Sequence, residues 1–293
     1  MSSLADDTRW LDATAQAELV TSGKVTPLEM VNAAIERVER FDGALNALTY
    51  RWFDAARQLA SSSELPEGPF RGVPYLLKDL YAAEAGKPLS NGSKAYKAAD
   101  YVSTEDSTLV ARYKASGLIS IGRSNSPEFG SVPVTEPEAW GPTRNPWDLS
   151  RTPGGSSGGS ASAVAAGIVP IAHASDGGGS IRIPAACCGL VGLKVSQGRI
   201  SMGPSRDESN LGVEHCVSRS VRDSARLLDA THGPGIGDVI IAPTPRRPFI
   251  DEVGADPGRL RIGFLDFNPR GGDVHADCVD GVHKTAKLLE SLG

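Results

Sequence analysis

Two short segments rich in glycine and serine are the places where this chain could do chemistry. The first reads GGSSGGS from Gly154 to Ser160, and the second reads DGGGSIR from Asp176 to Arg182. Three glycines directly before Ser180 would let the backbone approach a substrate and direct N–H groups at a developing oxyanion. Ser180 is therefore a candidate nucleophile, although glycine- and serine-rich loops are also common as plain flexible turns.

A serine nucleophile needs a base, and the sequence offers a lysine more readily than a histidine. The GxSxG motif is absent. A lone histidine on an apolar strand, such as His173, is more typical of a core residue. A desolvated lysine can be neutral near pH 7, and Lys78 stands at the end of an apolar run. The five histidines lie in no obvious catalytic arrangement: His173, His215, His232, His275 and His283.

Other chemistries receive less support from the sequence. Glycine N–H groups at a helix N-terminus also suit phosphate, but neither GxxxxGK[ST] nor a strand–GxGxxG–helix unit is present. A nucleotide site is therefore a weak alternative. No CxxC or Cys/His ligand spacing occurs, so we expect neither a metal nor any other cofactor. We interpret all four cysteines as reduced thiols: Cys187, Cys188, Cys216 and Cys278.

The net charge and the apolar pattern of the sequence limit the classes of partner that the protein could bind. A formal charge of −5 argues against nucleic acid as the main partner, because phosphate binding needs a basic surface. The polar N-terminal segment does not read as a secretory signal. The most apolar stretch, Ala161 to Ala174, is too short to span a bilayer. We therefore expect a cytoplasmic protein that binds neither nucleic acid nor membrane.

The elements around these residues alternate as in an α/β fold. The capping box Thr26-Pro27-Leu28-Glu29 and the apolar spacing behind it predict an amphipathic helix over 27–41. The run Tyr75–Leu80 predicts a buried strand that delivers Lys78 at its end. Further helices are predicted at 12–22, from a cap at Asp106 to 116, at 159–167, from Ser220 and at 275–292, and further strands at 118–121, 168–174 and 260–265.

The end of the sequence raises a separate expectation. A strand followed by a helix usually returns to a parallel neighbour, but here the helix at 275–292 reaches Gly293 with no strand after it. We therefore expect residues 1–293 to be the N-terminal part of a single domain whose C-terminal portion is missing. The alternative is that this helix closes the domain.

Several separated motifs together resemble the amidase signature family. The resemblance implies an α/β fold with a mixed β-sheet core covered by helices, truncated at the C-terminus. The resemblance covers essentially the whole chain, and the sequence is most similar to the branch of the family that hydrolyses cyclic amides. The segments that carry it are GVPYLLKDL (72–80), GRSNSPEFG (122–130), GGSSGGSASAVAAG (154–167), ASDGGGSIRIPAACCGLVGLKVSQGR (174–199) and SRSVRD (218–223).

The resemblance implies a Ser-cisSer-Lys triad of Ser180, Ser156 and Lys78. Neutral Lys78 would take a proton from Ser156, which would take one from the nucleophile Ser180. The resemblance further implies an oxyanion site and supporting residues. The oxyanion would bind N–H groups of Gly177, Gly178, Gly179 and Ser180, and support would come from Ser157 and an ion pair of Asp176 with Arg182.

The implied activity is hydrolysis of carbon–nitrogen bonds in non-peptide, linear or cyclic amides through an acyl-enzyme. A glutaminase subunit of a tRNA-dependent amidotransferase is one alternative, and an inactive truncated amidase is another. The expected partner is a small-molecule amide, with a homodimer as one option for assembly. One departure from the family pattern is Ser175, which stands where the family has threonine and keeps the hydroxyl.

Overall fold

The computed structural model describes residues 3–204 and 211–293, which fall into two compact units, Met1–Val253 and Gly254–Gly293. The first unit contains the six-stranded sheet. Its strands are β1 (Leu48–Arg51), β2 (Pro74–Lys78), β3 (Ile119–Ser124), β4 (Ile171–Asp176), β5 (Val191–Gly192) and β6 (Val213–Ser218). The helices of the first unit are α1 (Ser3–Asp7), α2 (Ala13–Thr21), α3 (Pro27–Leu45), α4 (Phe53–Ala60), α5 (Lys94–Ala98), α6 (Thr108–Ala115), α7 (Gly158–Ala165), α8 (Arg182–Cys188) and α9 (Val221–Thr231), with 3-10 turns at Glu128–Gly130 and Phe249–Glu252.

The sheet is mixed and has the order β1-β3-β2-β4-β6-β5. β2 lies parallel to both β3 and β4, whereas β1 pairs antiparallel with β3 and β6 pairs antiparallel with β4. The predicted α/β class with a mixed sheet is confirmed. Because β2 and β4 are parallel neighbours, their carboxyl ends meet at one edge of the sheet, and that edge carries Lys78 and Asp176.

Both faces of the sheet are covered, which explains the continuous apolar run of β2. Leu76 belongs to one buried apolar cluster, whereas Tyr75 and Leu77 belong to another. Alternate residues of a strand point to opposite faces, so a strand covered on both sides needs apolar residues at successive positions. Lys78 is the last residue of this strand, and it is fully buried.

Local sequence signals account for the helix boundaries near this sheet. In α3 the Thr26 side chain accepts from the Glu29 N–H, and Glu29 accepts from the Thr26 N–H, as the capping box predicts. The helix runs four residues beyond the predicted end at 41, to Leu45. α7 begins within the GGSSGGS segment, at Gly158, and all eight of its residues are buried, which the small side chains permit.

Three predictions about elements need correction. The cap of α6 is Ser107 rather than Asp106, whose carboxylate instead binds the side chain of Lys114. The predicted strand at 168–174 begins only at Ile171. The prediction of a strand at 260–265 is wrong, because these residues are exposed and form no strand in the part of the chain that the structure describes. A strand requires a partner for its backbone groups, which a local apolar pattern cannot supply.

The second unit, Gly254–Gly293, contains one helix, α10 (Ala276–Ser291), close to the predicted 275–292. Its N-cap is His275, whose side chain accepts from the Asp277 N–H. Across residues 3–204 and 211–293, no helix combines the length and the apolar character that crossing a membrane requires.

Candidate active site

Lys78 lies at the carboxyl end of β2 with its amine directed at two hydroxyl groups. Its Nζ donates to Ser156 Oγ at 2.7 Å and to Ser175 Oγ at 2.9 Å. Burial lowers the pKa of Lys78 to about 7, although the negative charges of Glu214 and Asp176 act in the opposite direction. An amine with this pKa is neutral in about half of the molecules at pH 7, and its lone pair can then accept a proton from Ser156.

Ser156 occupies a loop that precedes α7, and its placement depends on two glycines. The Gly155–Ser156 peptide bond is cis. A Cβ atom on Gly155 would lie 2.7 Å from the main-chain nitrogen of Val134. Gly130 has φ of +65°, and a Cβ atom there would lie 3.0 Å from Ser156 Oγ. Glycine at position 155 therefore lets the loop pack against the main chain of Val134, and glycine at position 130 leaves space for the Ser156 hydroxyl.

Ser157 joins this loop to the segment that carries Ser180. Its main-chain N–H donates to the main-chain oxygen of Ser180 at 3.3 Å. Its hydroxyl lies 3.3 Å from both the main-chain nitrogen and the main-chain oxygen of Ser175, on β4. Ser157 is fully buried, so these contacts are not in competition with solvent. The two glycine- and serine-rich segments thus lie side by side, as a shared active site requires.

Asp176 organises the turn that follows β4. Its carboxylate accepts the N–H groups of Gly179 at 2.7 Å and Ile181 at 3.1 Å, and it pairs with Arg182 through two side-chain contacts at 2.9 and 3.0 Å. Burial by itself would raise the pKa of Asp176, but the bonds from Arg182 and these N–H groups hold it below its usual value. The predicted ion pair is therefore present, and its carboxylate also shapes the turn.

A cavity of about 580 Å³ opens over these residues. Ser156, Ser175 and Ser180 all line it. The Ser180 hydroxyl makes no hydrogen bond to protein within residues 3–204 and 211–293, so it is available to a molecule in the cavity. Apolar side chains form much of the remaining wall: Leu80, Phe129, Val132, Ile183 and Leu211. The cavity can therefore hold an apolar molecule against three hydroxyl groups.

The three glycines before Ser180 are not equivalent. Gly177 and Gly178 line the cavity, and their N–H groups have no hydrogen-bond partner in the described chain. The N–H of Gly179 instead donates to Asp176. The structure thus differs from the prediction that all three glycines face an oxyanion, because the Gly179 donor is already used to close the turn.

Two polar residues beside Lys78 had no assigned role in the sequence prediction. Ser175 was noted only for its hydroxyl, yet that hydroxyl accepts from the Lys78 amine. Glu214, on β6, is buried and contributes a negative charge near Lys78. The alternation along β4 could have placed Ser175 on the same face as His173. No local signal could have placed Glu214, because its position depends on the pairing of β6 with β4.

The contacts of the GGSSGGS segment weigh against the nucleotide alternative. The N–H of Gly158 donates to Thr135 Oγ1 at 3.2 Å, and the N–H of Gly159 donates to the Asn125 oxygen at 3.1 Å. These donors at the start of α7 are therefore not free to bind a phosphate. Among the residues that the structure describes, no group of three or more histidine, cysteine, aspartate or glutamate side chains could hold a metal ion.

Comparisons with known proteins indicate the family to which the chain is similar. A model of the amidase family matches residues 29–293. The 6-aminohexanoate-cyclic-dimer hydrolase of Paenarthrobacter ureafaciens is 45% identical over 289 residues, which are 97% of this chain and 58% of that protein. The solved structure of 6-aminohexanoate cyclic dimer hydrolase matches with a TM-score of 0.93 at 45% identity, over 97% of this chain and 59% of that one.

A more distant solved structure bears on the alternative function. It is a glutamyl-tRNA(Gln) amidotransferase subunit from Thermotoga maritima, which matches with a TM-score of 0.69 at 32% identity, over 82% of this chain and 50% of that one. The similarity to the cyclic dimer hydrolase is higher in both measures. In each comparison the chain spans less than two thirds of the length of the other protein.

Proposed function

Because this chain belongs to the amidase family, as its motifs predicted, we propose that it hydrolyses an amide bond through a covalent acyl-enzyme on Ser180. The observation that carries the proposal is the 2.7 Å contact between Lys78 Nζ and Ser156 Oγ, in a site where the pKa of Lys78 is about 7. A buried, partly neutral lysine beside a serine is the base that a second serine in the same cavity requires.

Acylation would proceed by transfer of two protons. Ser156 passes its proton to neutral Lys78 and takes the proton of Ser180, while the Ser180 oxygen forms a bond to the amide carbon. The carbonyl oxygen becomes an oxyanion, which the free N–H groups of Gly177 and Gly178 can stabilise. The ammonium of Lys78 then returns a proton through Ser156 to the amide nitrogen, the carbon–nitrogen bond breaks and the amine leaves.

Deacylation repeats the same transfers with water in place of Ser180. Water loses a proton to Ser156 and attacks the ester carbon, and the Ser180 oxygen leaves with a proton from Ser156. The products are a carboxylic acid and the free enzyme. An amine is a poorer leaving group than an alcohol without protonation, so loss of the relay should reduce amide hydrolysis more than ester hydrolysis.

The substrate class that we propose is a non-peptide amide, linear or cyclic. Its support is the similarity to 6-aminohexanoate-cyclic-dimer hydrolase, together with the apolar walls of the cavity. The glutaminase alternative has less support, because the amidotransferase protein is the more distant match. We also propose that both units belong to a single amidase domain, since the family match runs through residues 29–293.

The cellular setting of the activity is also part of the proposal. The four cysteines, Cys187, Cys188, Cys216 and Cys278, are unpaired, which fits a reducing compartment such as the cytoplasm. A homodimer stays a prediction, as does the expectation that the protein acts without nucleic acid or membrane.

A fluorophosphonate probe that reacts with activated serines tests the function. We expect labelling of the unmodified chain at Ser180, with loss of labelling in Ser180→Ala and strong reduction in Lys78→Met. The matched control is Ser131→Ala, which removes another serine of the same cavity and should leave labelling intact. Absence of labelling in the unmodified chain would favour the inactive alternative, and equal labelling of Ser180→Ala would exclude Ser180 as the nucleophile.

A further inference from the structure

A buried histidine and a buried glutamate lie behind Lys78, on the two strands beyond β2. His173 is on β4, and Glu214 is on β6 opposite Ser175 in the strand pairing. Directly paired residues of neighbouring strands project from the same face of a sheet, as do residues two apart on one strand. His173, Ser175 and Glu214 therefore project from the same face of the sheet, and the Lys78 amine contacts the Ser175 hydroxyl at the end of β2.

The contact between His173 and Lys78 involves the main chain. The Lys78 N–H donates to Nδ1 of His173 at 3.2 Å. Both residues are buried, so without this acceptor the Lys78 N–H would be left unpaired away from water. Nδ1 acts as an acceptor, and burial lowers the pKa of His173, so the imidazole is neutral with its hydrogen on Nε2.

The protonated Nε2 atom of His173 faces Glu214. The distance from Nε2 to Glu214 Oε1 is 3.6 Å, and the side chains are 0% and 3% exposed. Neither atom has a hydrogen-bond partner in the described chain. The separation is longer than a direct hydrogen bond, and the two buried groups interact electrostatically, because Glu214 raises the pKa of His173 against the larger effect of burial. Glu214 also acts at longer range, because its negative charge raises the pKa of Lys78.

We propose that His173 and Glu214 are positioning residues for Lys78, His173 by holding its main-chain N–H and Glu214 by placing a buried negative charge near its amine. This inference rests on the proposed function for its catalytic meaning. It goes beyond that function because the triad of Lys78, Ser156 and Ser180 involves neither residue.

The electrostatic consequence follows from the groups around the amine. Burial lowers the pKa of Lys78, whereas Glu214 and, to a smaller extent, Asp176 raise it, and the result is about 7. Removing the charge of Glu214 should therefore let the pKa of Lys78 fall further. The charged or titratable groups around Lys78 are Asp176 and His173 from β4, Glu214 from β6, Arg123 from β3 and Tyr113 from α6. Arg123 donates to the main-chain oxygen of Lys78, and the ring of Tyr113 contacts the ring of His173.

The test follows Lys78 by NMR in the chain labelled with ¹³C at lysine Cε, with Lys78→Met to assign its signal. We expect the titration midpoint, near pH 7 in the unmodified chain, to fall by about one pH unit in Glu214→Gln. The matched control is Glu84→Gln. Glu84 is similarly buried, but its neighbouring cations are Lys114 and Arg123. An unchanged or raised midpoint in Glu214→Gln, or an equal fall in the control, would overturn the proposal.

A second measurement tests the role of His173 and can be made even if the Glu214→Gln variant does not fold. Hydrogen exchange of the Lys78 amide should become at least about tenfold faster in His173→Leu, which lacks an acceptor. His173→Gln, whose side-chain oxygen can accept, should restore most of the protection. Unchanged exchange in the leucine variant would refute the role of His173. Both measurements are independent of catalysis. Lack of serine labelling would therefore refute the proposed function, while the roles of His173 and Glu214 could still be tested.

Discussion

The pH dependence of Ser180 reactivity is the prediction that follows most directly from the site. The relay begins only when Lys78 is neutral, and the pKa of Lys78 is about 7. The neutral fraction is then about 0.9 at pH 8 and about 0.1 at pH 6. The rate of acylation by a reagent that does not itself titrate should therefore fall about tenfold between pH 8 and pH 6, with the midpoint near 7.

The assay is the initial rate of labelling by the fluorophosphonate probe over pH 5 to 9, with circular dichroism to verify folding at each pH. The control is Lys78→Met, in which a slow residual rate should lose the inflection near pH 7. A midpoint near pH 4 to 5 would indicate a carboxylate as the base. Equal rates at pH 6 and pH 8 in the unmodified chain would refute a titrating Lys78 as the base.

Three further variants test the surroundings of the site and the fold. Gly130→Ala places an alanine at φ of +65° and its Cβ atom 3.0 Å from Ser156 Oγ. Probe labelling should therefore fall, and the free energy of unfolding, measured by thermal unfolding, should fall by roughly 1–3 kcal/mol. Asp176→Ala removes the acceptor of the Gly179 and Ile181 N–H groups, so labelling should fall even where circular dichroism is unchanged. Burial alone would raise the pKa of Asp12, but bonds from Arg222 and the Ala15 N–H lower it to about 2. The charged Asp12 carboxylate thus stabilises the fold fully above about pH 4, and this stabilisation is lost as the pH falls toward 2. Asp12→Ala should therefore lower the free energy of unfolding, measured with urea, by about 1 kcal/mol at pH 7 but by little at pH 2.

The parts of the fold that could be predicted are those with a local signal. The helix at 27–41 has a capping box and a regular apolar spacing, and the structure contains it with a four-residue extension. The position of Lys78 could be predicted because β2 is a short apolar run that ends in charge. In both cases the determining interactions lie within a few residues of one another in the sequence.

The remaining features depend on contacts between distant segments. Ser175 and Glu214 lie near Lys78 because β4 stands between β2 and β6, an order that no single strand specifies. Gly179 differs from Gly177 and Gly178 because its N–H donates to the Asp176 carboxylate. The strand predicted at 260–265 did not form, because strand pairing needs a second segment.

The central claim is that an amide acylates Ser180 through Lys78, and mass spectrometry of a trapped acyl-enzyme tests it most directly. The chain is incubated with a cyclic amide, quenched in acid and digested. A ring-opened substrate keeps its amine on the acyl group, so the adduct should carry the full mass of the substrate. We predict this adduct on the peptide containing Ser180, its absence in Ser180→Ala, and a strong reduction in Lys78→Met. An adduct on another residue, or one of equal yield in Lys78→Met, would contradict the account.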